Sequence, residues 1–170
     1  LDALALASGL IPGQTVWIRV WEYNNGYTGT ATYSITSSGG TPPSNDDCAL
    51  PTNLTLNAAP INGSGYCATT QLADPLDCEG ILEGNVWYSF TLPSDGTVDV
   101  NIANISCFGS GDGVDVSVFS GNCAGFTSVV PCELDVTTPT TMNFPGTAGT
   151  VYTVMVDGNS LLGANSLCEF

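Results

Sequence analysis

The chain contains no histidine and one basic residue, Arg19, against 16 Asp and Glu, leaving a net charge of −15. Each absence removes a class of function. Without histidine there is no Ser-His-Asp relay, no Cys-His pair and no HExxH zinc site. Phosphoryl transfer lacks a P-loop, and one arginine cannot clamp phosphates. A polyanion gains no counterion-release energy from a nucleic-acid backbone and is repelled by anionic lipid, so neither nucleic acid nor a membrane surface is expected as a partner. Long apolar runs are also missing: residues 151–156 form one of the longest, far too short to insert across a bilayer as a helix. No basic-then-apolar leader opens the sequence, so any signal peptide is expected to have been removed or to lie outside it. There is no CxxC pair and no sustained helical periodicity.

The acids could in principle supply the carboxylate pair of a glycosidase. A solubilising anionic coat on an exported protein predicts the same acids. The expectation is therefore a non-catalytic protein without an organic cofactor. Its possible partners are divalent cations, neutral glycans and other protein.

Of the residues present, 43% are hydrophobic, enough for a core, and they are broken into short runs by Gly, Pro, Thr, Ser and Asn. The sequence predicts strands at 15–22, 30–36, 85–92, 97–102, 115–120, 127–130, 140–144, 151–156 and 166–170. Turn signals at Pro93-Ser94-Asp95-Gly96, 109–113, Gly121-Asn122 and Pro145-Gly146 separate several of them. Many short strands spell an all-β antiparallel sandwich of jelly-roll type. The stretch 37–45 (SSGGTPPSN) reads as a linker. Gly13-Gln14-Thr15-Val16-Trp17-Ile18-Arg19-Val20 resembles the segment from Gly149 to Val156, and each copy is followed by a Gly/Asn-rich turn and another strand. Residues 1–38 are thus expected to be the closing strands of a preceding or exchanged repeat, 39–44 a linker, and 45–170 one module.

Seven cysteines (Cys48, Cys67, Cys78, Cys107, Cys123, Cys132, Cys168) at long, irregular spacings suit structural disulfides of an oxidising compartment. Cys123 and Cys132 bracket a short two-strand excursion and are the first expected pair. Cys48 with Cys67 is the second, and Cys78, Cys107 and Cys168 compete for the rest. The odd count leaves at least one partner missing, free or on another chain.

Four runs in order carry a resemblance: Asn45-Asp46-Asp47-Cys48-Ala49, Asn85-Val86-Trp87-Tyr88-Ser89-Phe90-Thr91, Asp115 to Cys123 (DVSVFSGNC), and Ala148-Gly149-Thr150-Val151-Tyr152. Together they resemble the tandem β-sandwich modules of large secreted and surface proteins of Bacteroidetes-type bacteria. These are similar to the bacterial pre-peptidase C-terminal domain and, more loosely, to CUB-like jelly rolls. The resemblance implies an extracellular, non-catalytic module accompanying proteases, adhesins or filaments. It also implies calcium near the opening Asn/Asp cluster in some relatives. The sequence departs from it at Cys132-Glu133-Leu134-Asp135, where such modules often carry Cys-Asn-Asp-Asp.

Candidate sites follow. Asn45, Asp46 and Asp47, and separately Asp112 and Asp115 in a Gly-rich turn, could supply the hard oxygens that calcium takes, although neither group has EF-hand spacing. The alternative is that Asp112 supports a turn and Asp46 and Asp47 cap the linker. Period two places Trp17, Arg19, Trp21 and Tyr23 on one strand face, a ladder suited to glycan stacking, a protein interface or cover by a neighbouring domain. Trp87 and Tyr88 are expected in the core. The overall expectation is a structural repeat unit of a surface filament or adhesin, joined to neighbouring copies through sheet edges. The alternative is a glycan- or protein-binding accessory module of a larger secreted enzyme.

Overall fold

The computed structural model describes Thr15, Trp17 and residues 40–71, 74–75, 80, 82, 84–107, 113–158 and 168–170. Ten strands occur among them: β1 (Thr52–Asn53), β2 (Val86–Thr91), β3 (Gly96–Ile102), β4 (Ser106–Cys107), β5 (Val114–Asn122), β6 (Gly125–Ser128), β7 (Glu133–Val136), β8 (Thr140–Gly146), β9 (Val151–Gly158) and β10 (Cys168–Glu169). The described residues contain no helix. Six of the expected strands, from 85–92 to 151–156, appear with ends shifted by a residue or two. Part of 166–170 appears as β10. The strands expected at 15–22 and 30–36, with the repeat they belong to, lie outside the described residues apart from Thr15 and Trp17.

The large sheet runs β1-β2-β9-β5-β6, with β7 also on β5, and is antiparallel except for the parallel β1–β2 step. Its central strands explain their own composition. In β2, Val86, Tyr88 and Phe90 point into one apolar cluster while Trp87 points into another, so nearly every residue is buried. A strand covered on both faces has no use for polar alternation. The ribbon formed by β3 and β8 alternates instead. Val98, Ile102, Met142 and Phe144 are buried, and Thr97, Asp99, Asn101, Thr141 and Asn143 face solvent. The exposed side carries cross-strand hydrogen bonds, Asn143 Nδ2 to Asp99 Oδ1 and Thr141 Oγ1 to Asn101 Oδ1, each 2.6 Å.

One apolar cluster joins the ribbon to the large sheet, uniting Val98, Ile102, Met142 and Phe144 with Val86, Phe90, Val116, Val118, Tyr152 and Val154. The rings of Phe144 and Tyr152 meet at 5.2 Å between centroids. A smaller cluster sits on the opposite face of the large sheet: Trp87, Met155 and Phe119, with Cys48, Leu82 and Phe126 against them. Phe126 stacks on Trp87 at 5.2 Å and 9°. β5 and β6 close through a two-residue turn at Cys123-Ala124. Gly121, at φ +105°, is required there because a Cβ would strike the Gly125 carbonyl.

The disulfides correct both expected pairs. Cys48 bonds Cys123, a separation of 75 residues, and Cys107 bonds Cys168 across the β4–β10 pair. Cys132 is also disulfide-bonded. Cys123 cannot reach it, because Glu133 stands opposite Val116 while Cys123 lies beyond the far end of β5. At about 3.3 Å per residue that is roughly 20 Å, and bonded Cα atoms stand within about 7 Å. Cys67, expected to bond Cys48, is a free thiol packed against the backbone of Gly40. Alkylation of the unreduced native protein followed by peptide mapping is expected to label Cys67 and to leave Cys48, Cys107, Cys123, Cys132 and Cys168 unlabelled.

Candidate functional site

The polar groups that sequence patterning does not account for gather at one end of the large sheet, on the face that carries Trp87. Asp115 and Asp157 are direct cross-strand partners on β5 and β9. Each is 1% exposed. Asn85 precedes Val86, whose partner is Val156, so the register carries the row on to Asn85, which is fully buried. Backbone donors hold the acids: Gly84 and Gly158 N–H donate to Asp157 Oδ1 at 2.9 and 3.0 Å, and Asp135 N–H donates to Asp115 Oδ1 at 2.8 Å. Charge-assisted bonds of this kind offset part of the cost of burying a carboxylate.

From Asn85 the network continues into the segment that opens the module. Asn85 Nδ2 and Gln71 N–H both donate to Asp74 Oδ2, at 3.1 and 2.8 Å. Gln71 Nε2 donates to Asp46 Oδ2 at 3.3 Å, and Thr69 donates to Asp46 through its N–H and its hydroxyl. Burial pushes the Asp74 carboxyl above the usual carboxylate range; the Gln71 and Asn85 bonds oppose this, and the nearby charges of Asp47 and Asp46 add to it. The folded chain thus holds the Asp74 proton more tightly than the unfolded chain does. Its contribution to stability falls as pH rises from the ordinary carboxylate range through the folded pKa, and above that the ionised group is a net cost.

The structure separates the three residues of the Asn45-Asp46-Asp47 run. Asn45 serves β2: its carbonyl accepts from Trp87 N–H at 2.9 Å and its amide donates to Trp87 O at 3.0 Å. These bonds tie the Asn45 amide nitrogen and carbonyl to the backbone of β2. Asp47 caps a turn by accepting from Ala49 N–H at 2.9 Å. Asp46 alone turns into the polar network. Asp115 is on β5 rather than in a loop, and Asp112 lies outside the described residues. Trp17 is 91% exposed, while Arg19, Trp21 and Tyr23 lie outside the described residues, so the ladder is not defined.

Sequence reading missed Gln71, Asp74, Asn85 and Asp157. A signal existed for two of them. Asp157 closes the apolar run VYTVMV and Asn85 opens VWYSF, each a polar residue at a position whose parity matches buried Trp87 and Met155. Gln71 and Asp74 stand in irregular backbone, where no periodicity marks them.

The arrangement is rich in oxygen and poor in anything else. Among the described residues no three acidic or cysteine side chains converge as a metal-ligand set. Any ion held here would be bound by a mixture of carboxylate and amide oxygens, the chemistry of calcium rather than of zinc. Gln71 Oε1, Asp74 Oδ1 and Asn85 Oδ1 are buried acceptors with no hydrogen-bond donor. A groove of about 410 Å³ lies elsewhere, lined by Asn62, Gly63, Ser64, Asn104, Glu169 and Phe170. No helix among the described residues is long and apolar enough to cross a membrane. Comparison with protein-family profiles, curated proteins and solved structures finds no match to this chain.

Proposed function

We propose that this chain is a non-catalytic extracellular structural module of β-sandwich, jelly-roll-like architecture that joins neighbouring copies of itself through a sheet edge, as a repeat unit of a surface filament or adhesin. The observation that carries this reading is the outer edge of β3. Among the described residues β3 and β8 pair only with each other, so each has an edge that no described strand covers, over a shared apolar face. The β8 edge is interrupted by Pro145, which has no N–H to offer an incoming strand. β3 contains no proline, and its seven residues offer a complete row of backbone groups.

The occupant is a strand from residues 30–36 of a second copy. In a chain of net charge −15, the stretch 23–45 has no charged residue at all, so it can approach another copy without repulsion. Tyr33 and Ile35 alternate with Thr32, Ser34 and Thr36, the pattern of a strand with one face on a core. The resemblance to tandem surface modules supports the same reading, as do the disulfides, which persist in oxidising surroundings.

Light scattering and electron microscopy of the purified chain test this. End-to-end oligomers are expected, reduced to monomers by deletion of residues 1–38 and capped by an added peptide of residues 29–37. A peptide with Tyr33→Pro and Ser34→Pro is expected to leave them intact. A monodisperse monomer with residues 1–38 present overturns the assembly reading. It would favour a glycan- or protein-binding accessory module, for which exposed Trp17 is the supporting observation.

A further inference from the structure

We propose that the Asp74–Pro75 peptide bond is a site of self-cleavage, at which the Asp74 carboxyl group breaks its own chain in mild acid. It is the only Asp-Pro pair in the sequence.

The chemistry of the pair and its place in the fold both favour this. The Pro75 nitrogen belongs to a tertiary amide without an N–H, and once protonated it departs as a secondary amine. The carboxyl group of the preceding aspartate can close a five-membered ring on its own main-chain carbonyl, an attack that requires no second reactant to be brought in. The fold then orients that carboxyl. Asn85 Nδ2 and Gln71 N–H both donate to Oδ2, at 3.1 and 2.8 Å, and Asn85 is itself fully buried. Oδ1 is buried without a hydrogen-bond partner, so no donor ties up the oxygen left to attack. Asp74 and Pro75 are each half-buried rather than sealed, which leaves the bond open to water.

The step balances within the chain. Oδ1 bonds to the Asp74 carbonyl carbon, the carboxyl proton passes to Pro75 N, and the C–N bond breaks. The products are a cyclic anhydride at Asp74 and a secondary amine at Pro75. Water then opens the anhydride, restoring the Asp74 side-chain carboxyl and leaving a new α-carboxyl beside it. One water is consumed, and nothing is oxidised or reduced. The same carboxyl supplies nucleophile and proton. Burial pushes its pKa above the ordinary carboxylate range, which keeps that proton in place at milder acidity than an exposed aspartate allows.

Cleavage alone does not separate the pieces. Cys48 and Cys123 stand on opposite sides of the bond and are joined, while Cys67, the other cysteine before it, is a free thiol. Residues 1–74 therefore stay attached through a single disulfide, and a thiol reductant releases them. That piece carries the 30–36 stretch to which the assembly reading gives the joining strand, so acid followed by reduction would dismantle such an assembly. The cleavage itself does not depend on that reading.

Intact-mass measurement of the full chain held at about pH 4, near the ordinary aspartate pKa, tests the bond. The product is expected to gain the mass of one water without reduction. After reduction it is expected to separate into a piece ending at Asp74 and a piece beginning at Pro75. Asp74→Asn and Asp74→Glu are expected to abolish cleavage, the second because its ring would need a sixth member. Unfolding wild type in urea at the same pH is expected to slow cleavage about tenfold or more, because only the fold holds the carboxyl in place. Equal or faster cleavage in urea would reduce the event to the ordinary acid lability of an Asp-Pro bond and overturn the proposal. So would a folded chain that stays intact, or cleavage that survives Asp74→Asn.

Discussion

Replacing Trp87 by alanine is expected to cost about 3–5 kcal/mol of unfolding free energy, the largest loss from any single side chain here. Trp87 is fully buried on the face of β2 opposite the main core. It stacks on Phe126 at 5.2 Å and packs with Met155, Phe119 and Cys48. Deleting the indole would leave a cavity beneath elements that cannot follow it. Phe126 is held by the β5–β6 hairpin, and the opening segment is held by Asn45 on the Trp87 backbone. Trp87→Phe separates packing from polarity. The indole Nε1 is buried without an acceptor, so the phenyl ring removes an unsatisfied donor as it removes volume. Phe is therefore expected to cost less than half as much as Ala in a urea titration. Equal losses for the two variants would show that the indole N–H matters, against the structure.

The second large effect belongs to the Cys48–Cys123 disulfide. Converting both cysteines to serine is expected to cost about 4 kcal/mol, from the loop entropy released by opening a closure of 75 residues. The bond also holds the opening segment over Trp87. Trp87 emission in the folded double mutant is therefore expected to shift toward that of a solvated indole, while β3 and β8, at the other side of the main cluster, keep their backbone protection in hydrogen exchange. A double mutant as stable as wild type would mean that Asn45, Asp46 and the cover around Trp87 hold the segment without the covalent tie.

How much of this was legible beforehand depends on the kind of signal. The ribbon could be read directly: in Thr97–Val98–Asp99–Val100–Asn101–Ile102 every second residue is apolar, and β3 buries Val98 and Ile102. β2 and β9 were legible as strands from β-branched and aromatic runs, but not as strands buried on both sides, because alternation disappears when both faces are covered. The short strands β1, β4 and β7 had no sequence mark. Two residues of Thr52–Asn53 become a strand only because Tyr88 and Ser89 lie alongside.

The disulfides show the same divide. Seven cysteines and no histidine announce covalent staples rather than a metal centre, but proximity in sequence suggested the wrong partners. Cys123 sits on a turn that points away from Cys132 because β6 and β7 pair with different parts of β5. The polar network divides likewise. Asp46 stood out as part of an acidic run, yet its neighbours there, Asn45 and Asp47, turn to other partners, and its true companions come from up to 39 residues away, since Asn85 enters through the β2–β9 register.

Composition and local pattern alone settled the all-β class, the anionic surface, the use of disulfides and the position of most strands, because each depends on residue type and on spacing of a few positions. Which cysteines bond, which acids share a network and which distant strands pair were decided by the folded chain. Those outcomes depend on how distant strands align, and a one-residue change of register would have brought different side chains together.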